Sequence, residues 1–136
     1  MNNSPANLAL SNSTSPLALQ PLPYLARLEE TGDLIGDCRR FLQAVMAELY
    51  AVFHPTQPLT PLLAARAKAV DEVLLALWQQ HLGDTQQALL AAVGGYGRGE
   101  LYPHSDIDIL FLCHDDIDES TDGLIGDMSR SLWDLG

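Results

Sequence analysis

Two short features near position 100 carry the residue types that phosphoryl chemistry requires. The first is a set of four glycines within six residues, at positions 94, 95, 97 and 99, directly after the apolar run 88–93. Glycines let the backbone approach another group closely and point several amide N–H donors the same way, which suits an anionic triphosphate. The segment therefore predicts a phosphate-binding turn at the end of a buried strand.

The second feature is a pair of aspartates, Asp106 and Asp108. They alternate with Ile107 and Ile109, so a predicted second strand places both carboxylates on one face. Two anions held that closely repel unless a cation or a proton lies between them, and Mg²⁺ prefers such oxygen ligands, shared with substrate phosphates and water. The pair predicts a magnesium site beside the glycine turn, which is a layout for phosphoryl transfer.

The standard phosphate-binding fingerprints do not fit the glycine segment. The dinucleotide pattern GxGxxG, started at Gly95, requires glycine where Glu100 stands. Gly94 and Gly99 have the spacing of a P-loop, but Glu100 replaces the essential lysine. Both the Rossmann and the P-loop interpretations are therefore excluded.

Helices surround these two features. Apolar residues recur at helical spacing between Tyr24 and Phe53, which predicts one broken helix or two short ones. A second helix is expected from Thr60, as N-cap, to a stop at Gly83, and a third over residues 120–135. Three more residues, Trp78, His54 and His81, are interpreted as packing, surface or capping residues rather than ligands.

Composition narrows the class of protein. The chain has 136 residues, 47% of them hydrophobic, which is enough for one domain, and residues 1–23 are expected to be a disordered tail. A formal net charge of −11 makes nucleic acid an unlikely partner, although a single nucleotide can bring its own magnesium. No signal peptide and no membrane-spanning run is predicted, and Cys38 and Cys113 fit reduced thiols, so a cytoplasmic protein is expected.

The whole motif resembles that of the polymerase-beta-type nucleotidyltransferases: Gly-Gly, ten residues, then Asp-hydrophobic-Asp. Within that superfamily, the run GGYGRGELYPHSDIDILFL resembles the PII uridylyltransferases, and so do the helix around residues 66–78 and the run 132–134. The resemblance implies an α+β fold with N-terminal helices followed by an incomplete polymerase-beta-like sheet with helices. The hydrophobic spacing predicts a helical N-terminal region over residues 24–59, and the resemblance implies the first part of the nucleotidyltransferase domain over residues 60–136.

The resemblance also implies roles for particular residues. The implied site consists of Gly94, Gly95, Arg98 and Ser105 for the nucleotide, and Asp106 and Asp108 for the catalytic Mg²⁺. The implied reaction is attack by a tyrosine hydroxyl of the PII signal-transduction protein on the α-phosphate of UTP, with release of pyrophosphate. Tyr96 and Tyr102 belong to the motif and are not expected to be the acceptor.

The chain departs from the family pattern in one respect. The superfamily usually adds a third carboxylate from a strand that follows the next helix, and that strand is expected beyond Gly136. The other acids near the motif are interpreted as solvated charges: Asp115, Asp116, Asp118 and Asp134. The chain is thus expected to be a truncated piece that is incomplete or inactive alone, without the family's hydrolase and glutamine-sensing domains.

Three alternatives remain open from the sequence. One keeps the chemistry and changes the base, as in adenylyl transfer to another protein. The second is a non-catalytic module that binds a nucleotide or a partner. The third is a purely structural helical domain in which the aspartates are surface charge.

Overall fold

The structure is a computed structural model that describes residues 22–136. Its elements, in chain order, are α1 (Leu34–Val52), α2 (Thr60–His81), β1 (Ala88–Ala92), the single-turn α3 (Gly94–Gly97), β2 (Ile109–Cys113) and α4 (Glu119–Leu135). The predicted α+β class and the predicted order of helices, strand, glycine turn, strand and helix are confirmed. Most of the predicted tail, residues 1–21, lies outside the described part. None of the helices within residues 22–136 is both long and apolar enough to cross a bilayer.

Helix α1 begins later than the sequence pattern predicts. Its N-cap is Asp33, whose carboxylate accepts the amide N–H of Gly36. The preceding residues do not form the predicted helix, and the amides of Leu25 and Ala26 donate to the carboxylate of Glu48 on α1. The prediction of helix from Tyr24 is therefore wrong for its first ten residues, which form no regular secondary structure.

Helix α2 has nearly the predicted bounds. Leu59 rather than Thr60 occupies the N-cap position, and no side chain caps the first turn, which contains Pro61. The predicted stop at Gly83 is confirmed, since Gly83 has φ +56° and its amide donates to the carbonyl oxygen of Trp78 at 3.0 Å. This left-handed glycine is the usual end of a helix.

Helices α1, α2 and α4 pack together around one apolar core. Its fully buried residues include Cys38, Phe41, Val45, Ala69, Val73, Leu77 and Met128. Tyr24, in the segment before α1, also packs in this core. Its ring lies edge-to-face on that of Phe41, at a centroid distance of 6.3 Å. A second, smaller cluster contains Ala67, Val70, Leu74, Tyr96 and Leu101, so α2 also supports the glycine segment.

The sheet consists of β1 and β2, paired antiparallel with Leu90 opposite Phe111. These two residues pack against the helical core, whereas Leu89, Leu110 and Leu112 are exposed on the other face. The ladder continues past β1, since the amide of Val93 donates to the carbonyl of Asp108 at 3.0 Å. This pairing places the glycine turn after β1 beside the aspartates before β2.

Candidate functional site

The glycine segment folds into one helical turn, α3. Gly94 begins it at φ +61°, a left-handed conformation that side chains disfavour, and the amide of Gly97 closes it on the carbonyl of Val93 at 2.9 Å. A Cβ at Gly97 would lie 2.6 Å from the carbonyl oxygen of Ala92, so only glycine fits there. The amides of Gly94 and Gly95 lie in the first turn, where the helix itself offers no acceptor. They are the donors that the sequence predicts for a phosphate.

Asp108 lies directly against this turn. A Cβ built on Gly94 would be 2.9 Å from the Oδ2 atom of Asp108, so the glycine leaves the space that the carboxylate needs. The main chain of Asp108 is fixed at the same place, because its carbonyl accepts the amide of Val93. A predicted metal ligand and a predicted phosphate-binding glycine are therefore neighbours in the fold.

The two aspartates lie just before β2 rather than within it. The prediction that both belong to a strand is wrong, because the neighbouring strand turns into α3 at Gly94. One backbone hydrogen bond, from Val93 to Asp108, extends the pairing beyond β2 on that side. Both side chains are exposed. Asp106 lines a cavity of about 900 Å³ whose walls come from α2, α4 and the loop before β2.

Ser105 lines the same cavity as Asp106. Its position is set by a turn over residues 102–105, in which Pro103 takes the second place and the amide of Ser105 donates to the carbonyl of Tyr102 at 3.0 Å. The turn directs the chain from the glycine segment into the aspartates. The predicted phosphate contact by Ser105 remains a prediction, with a location that suits it.

Arg98 lies beside the glycine turn, on its exposed side. Its Nε atom donates to Glu100 at 3.1 Å, and both side chains are more than half exposed. One terminal nitrogen of Arg98 is 3.9 Å from the point that a Cβ on Gly95 would occupy. The guanidinium is therefore near the predicted phosphate-binding turn, but it already has a carboxylate partner. A phosphate contact by Arg98 stays a prediction.

Tyr96 connects the glycine turn to α2 through a hydrogen bond. Its buried hydroxyl donates to the Oδ1 atom of Asp71 at 2.6 Å. Burial, together with this hydrogen bond, raises the pKa of Tyr96 well above its ordinary value. Sequence reasoning placed Tyr96 in the motif but missed Asp71, since helical spacing marks a polar position on α2 without identifying its tertiary partner.

Asp118 and two histidines, His54 and His81, have structural partners. Asp118 caps α4, and hydrogen bonds from the Thr121 amide and the Gln87 side chain lower the pKa of its carboxyl. The imidazole of His54 contacts the hydroxyl of Thr56, and that of His81 contacts Ser131. These contacts agree with the predicted packing and capping roles. Asp118 has a structural task where the sequence predicted only a solvated charge.

A divalent cation at this site would have few protein ligands. Within residues 22–136 no cluster of three or more His, Cys, Asp or Glu side chains is arranged to hold a metal. Mg²⁺ is commonly held by one or two carboxylates, with substrate phosphates and water completing its coordination. The exposed carboxylates of Asp106 and Asp108, next to a turn with free amides, fit that kind of coordination.

The turn and its adjacent carboxylates have the arrangement that the sequence predicts for a phosphate and a divalent cation. Residues 70–129 match the family described as "Nucleotidyltransferase domain". The chain is also similar to the protein named "Bifunctional uridylyltransferase/uridylyl-removing enzyme" of Burkholderia mallei (strain SAVP1) and to that of Burkholderia pseudomallei (strain K96243). In both comparisons, 40% of 121 residues are identical. The predicted resemblance is confirmed.

These matches cover 86% of the chain but 12% of each relative. The chain thus spans about an eighth of the length of the curated relatives that it matches. No solved structure matches the chain significantly.

Proposed function

We propose that the chain is the nucleotide-binding part of an enzyme that transfers UMP from UTP to a tyrosine of the PII signal-transduction protein. The observation that carries this proposal is the contact between Gly94 and Asp108, which joins a turn of free amides to a carboxylate. The relatives named uridylyltransferase support uridylyl transfer. The resemblance of the motif to the PII uridylyltransferases supports PII as the acceptor.

The residues of the site have separate tasks in this proposal. The amides of Gly94 and Gly95 donate to phosphate oxygens, with Arg98 and Ser105 as further phosphate contacts. Asp106 and Asp108 hold Mg²⁺, which neutralises phosphate charge when bound. The tyrosine oxygen forms a bond to the α-phosphorus, the bond from that phosphorus to the β-bridging oxygen breaks, and pyrophosphate leaves. The hydroxyl proton of the tyrosine passes to solvent.

We also propose that this reaction takes place in the cytoplasm. Both cysteines of the chain are free, and Cys113 is exposed. An exposed free thiol persists most readily in a reducing compartment.

Calorimetric titration of UTP with Mg²⁺ into the full chain tests the proposal. The wild type should bind saturably, and the double variant Asp106→Asn, Asp108→Asn should lose binding. The matched control is Asp115→Asn, Asp116→Asn, which removes the same charge from the exposed loop after β2 and should bind as the wild type does. Binding of ATP in place of UTP would favour adenylyl transfer, and no nucleotide binding by the folded wild type would favour a structural domain.

A second candidate is a module that binds the nucleotide without turnover. It requires no more than the glycine turn and the two carboxylates that the described residues contain. Release of pyrophosphate from UTP in the presence of PII separates the two, since the binding module should produce none.

A further inference from the structure

Arg66 is a cation of α2 without a carboxylate partner in the described part of the chain. Its side chain is half-buried, and none of the acids within residues 22–136 forms an ion pair with it. Its one hydrogen bond there runs from a guanidinium nitrogen to the carbonyl oxygen of Tyr102. A guanidinium has five N–H donors, so most of its donors remain for another acceptor.

The hydrogen bond to Tyr102 holds Arg66 at the candidate site. The same carbonyl accepts the amide of Ser105, so Arg66 is fixed to the turn that leads into the aspartates. Arg66 also lines the cavity that contains Ser105 and Asp106, and it is the single Lys or Arg among the residues lining that cavity. Burial lowers the pKa of its guanidinium, but an arginine remains charged at any physiological pH.

An unpaired, partly desolvated cation gains most from an anionic ligand. Guanidinium binds phosphate in a two-pronged geometry, and such charged hydrogen bonds are stronger than neutral ones. The chain offers two anion-binding elements, each close to one of the aspartates: the glycine turn lies beside Asp108, and Arg66 shares a cavity with Asp106. A triphosphate carries several anionic groups and can contact both elements, whereas a monophosphate has only one such group.

We propose that Arg66 binds the polyphosphate end of the nucleoside triphosphate, as a second phosphate contact besides the glycine turn. This inference rests on the proposed function and adds a phosphate ligand that lies outside the glycine and aspartate motif. It assigns to Arg66, on α2, the main cationic contact of the site. Arg98 is less suited to that contact because Glu100 already pairs with it.

The test compares UTP and UMP, each with Mg²⁺, on the full chain. Arg66→Met removes the charge at similar length and should weaken UTP binding at least about tenfold, the loss expected for charged hydrogen bonds. UMP binding should change less than about twofold, because in the proposal UMP contacts the glycine turn alone. A merely structural role for Arg66 would weaken both ligands equally, and that result would overturn the proposal.

Two further variants make the comparison specific. Arg66→Lys keeps a charge but not the planar fork, so its UTP affinity should lie between those of the wild type and Arg66→Met. It also keeps the proposal testable if Arg66→Met does not fold, which circular dichroism would reveal. Lys68→Met removes an exposed cation of the same helix that lines a different cavity and should leave UTP binding unchanged.

The two proposals fail in different ways. Tight UTP binding by wild type and by Arg66→Met alike would overturn the role of Arg66 and leave the proposed function intact. Absence of UTP binding by the folded wild type would overturn both.

Discussion

The Oδ2 atom of Asp108 occupies the space in which a side chain at Gly94 would begin. A Cβ at position 94 would lie 2.9 Å from that oxygen, and the φ of +61° disfavours any side chain there. Gly94→Ala should therefore displace the Asp108 carboxylate as well as strain the backbone. We expect loss of Mg²⁺-dependent UTP binding, measured by calorimetry, and a fall in stability of about 1–2 kcal/mol, measured by urea unfolding.

Gly83→Ala is the matched control for this prediction. Gly83 has a similar φ of +56°, but nothing lies within 4 Å of the position of its missing Cβ, and it ends α2 away from the aspartates. The variant should lose a similar amount of stability and retain nucleotide binding. Equal UTP affinity in Gly94→Ala and the wild type would contradict a role for the Gly94–Asp108 contact.

The sequence alone predicts those parts of the site that depend on local spacing. The glycine turn and the proximity of Asp106 to Asp108 follow from their own neighbourhood in the chain. The contact of Gly94 with Asp108 requires the pairing of β1 with β2, and the positions of Arg66 and Asp71 require the packing of α2 on the motif. Those relationships are tertiary, so residue types and periodicity do not determine them.

The segment before α1 shows that the fold, too, depends on tertiary contacts that the sequence pattern does not reveal. Leu25 and Leu28 have helical spacing with later residues, yet Glu48 accepts the amides of Leu25 and Ala26, and Tyr24 bonds to Glu72 on α2. These tertiary hydrogen bonds hold the segment in a non-helical conformation and outweigh a weak helical preference here. Periodicity indicates which apolar residues could share one face of a helix, whereas the long-range hydrogen-bond acceptors decide the conformation of this segment.

The two cysteines should differ in reactivity. Cys38 is fully buried in the helical core, and burial raises the pKa of its thiol, whereas Cys113 is exposed at the end of β2. Because the thiolate is the reactive form, a thiol reagent should modify one cysteine in the native protein and two in urea. Cys113→Ser should leave no reactive thiol in the native state. Rapid modification of native Cys113→Ser would show that Cys38 is accessible.

Asp37 should make the fold sensitive to acid. Hydrogen bonds from the side chain and amide of Thr31, then from Arg40, lower the pKa of the buried Asp37 carboxyl. A carboxyl with a lower pKa in the folded state stabilises above the unfolded value of about 4, and that contribution disappears as the pH falls below it. Asp37→Asn should therefore be less stable near neutral pH, and its urea midpoint should fall less steeply on acidification.

Asp115→Asn provides the comparison for the acid prediction, since this carboxylate is exposed in the loop after β2. Its urea midpoint should follow that of the wild type at each pH. A wild-type midpoint that does not change between about pH 5 and pH 2 would contradict the stabilising role of Asp37.

The hydrogen bond from Tyr96 to Asp71 should make the fold sensitive to alkali. Burial and this bond raise the pKa of Tyr96, so the folded phenol stays protonated where the unfolded one ionises, above about pH 10. The unfolded state then binds fewer protons, and stability falls as the pH rises through that range. Tyr96→Phe should weaken this dependence and cost about 1–3 kcal/mol at neutral pH, because Asp71 loses its donor. Urea unfolding at neutral pH and above about pH 10 measures this effect, with Tyr50→Phe, at an exposed tyrosine, as the control. An equal loss of stability at alkaline pH in the wild type and in Tyr96→Phe would contradict the prediction.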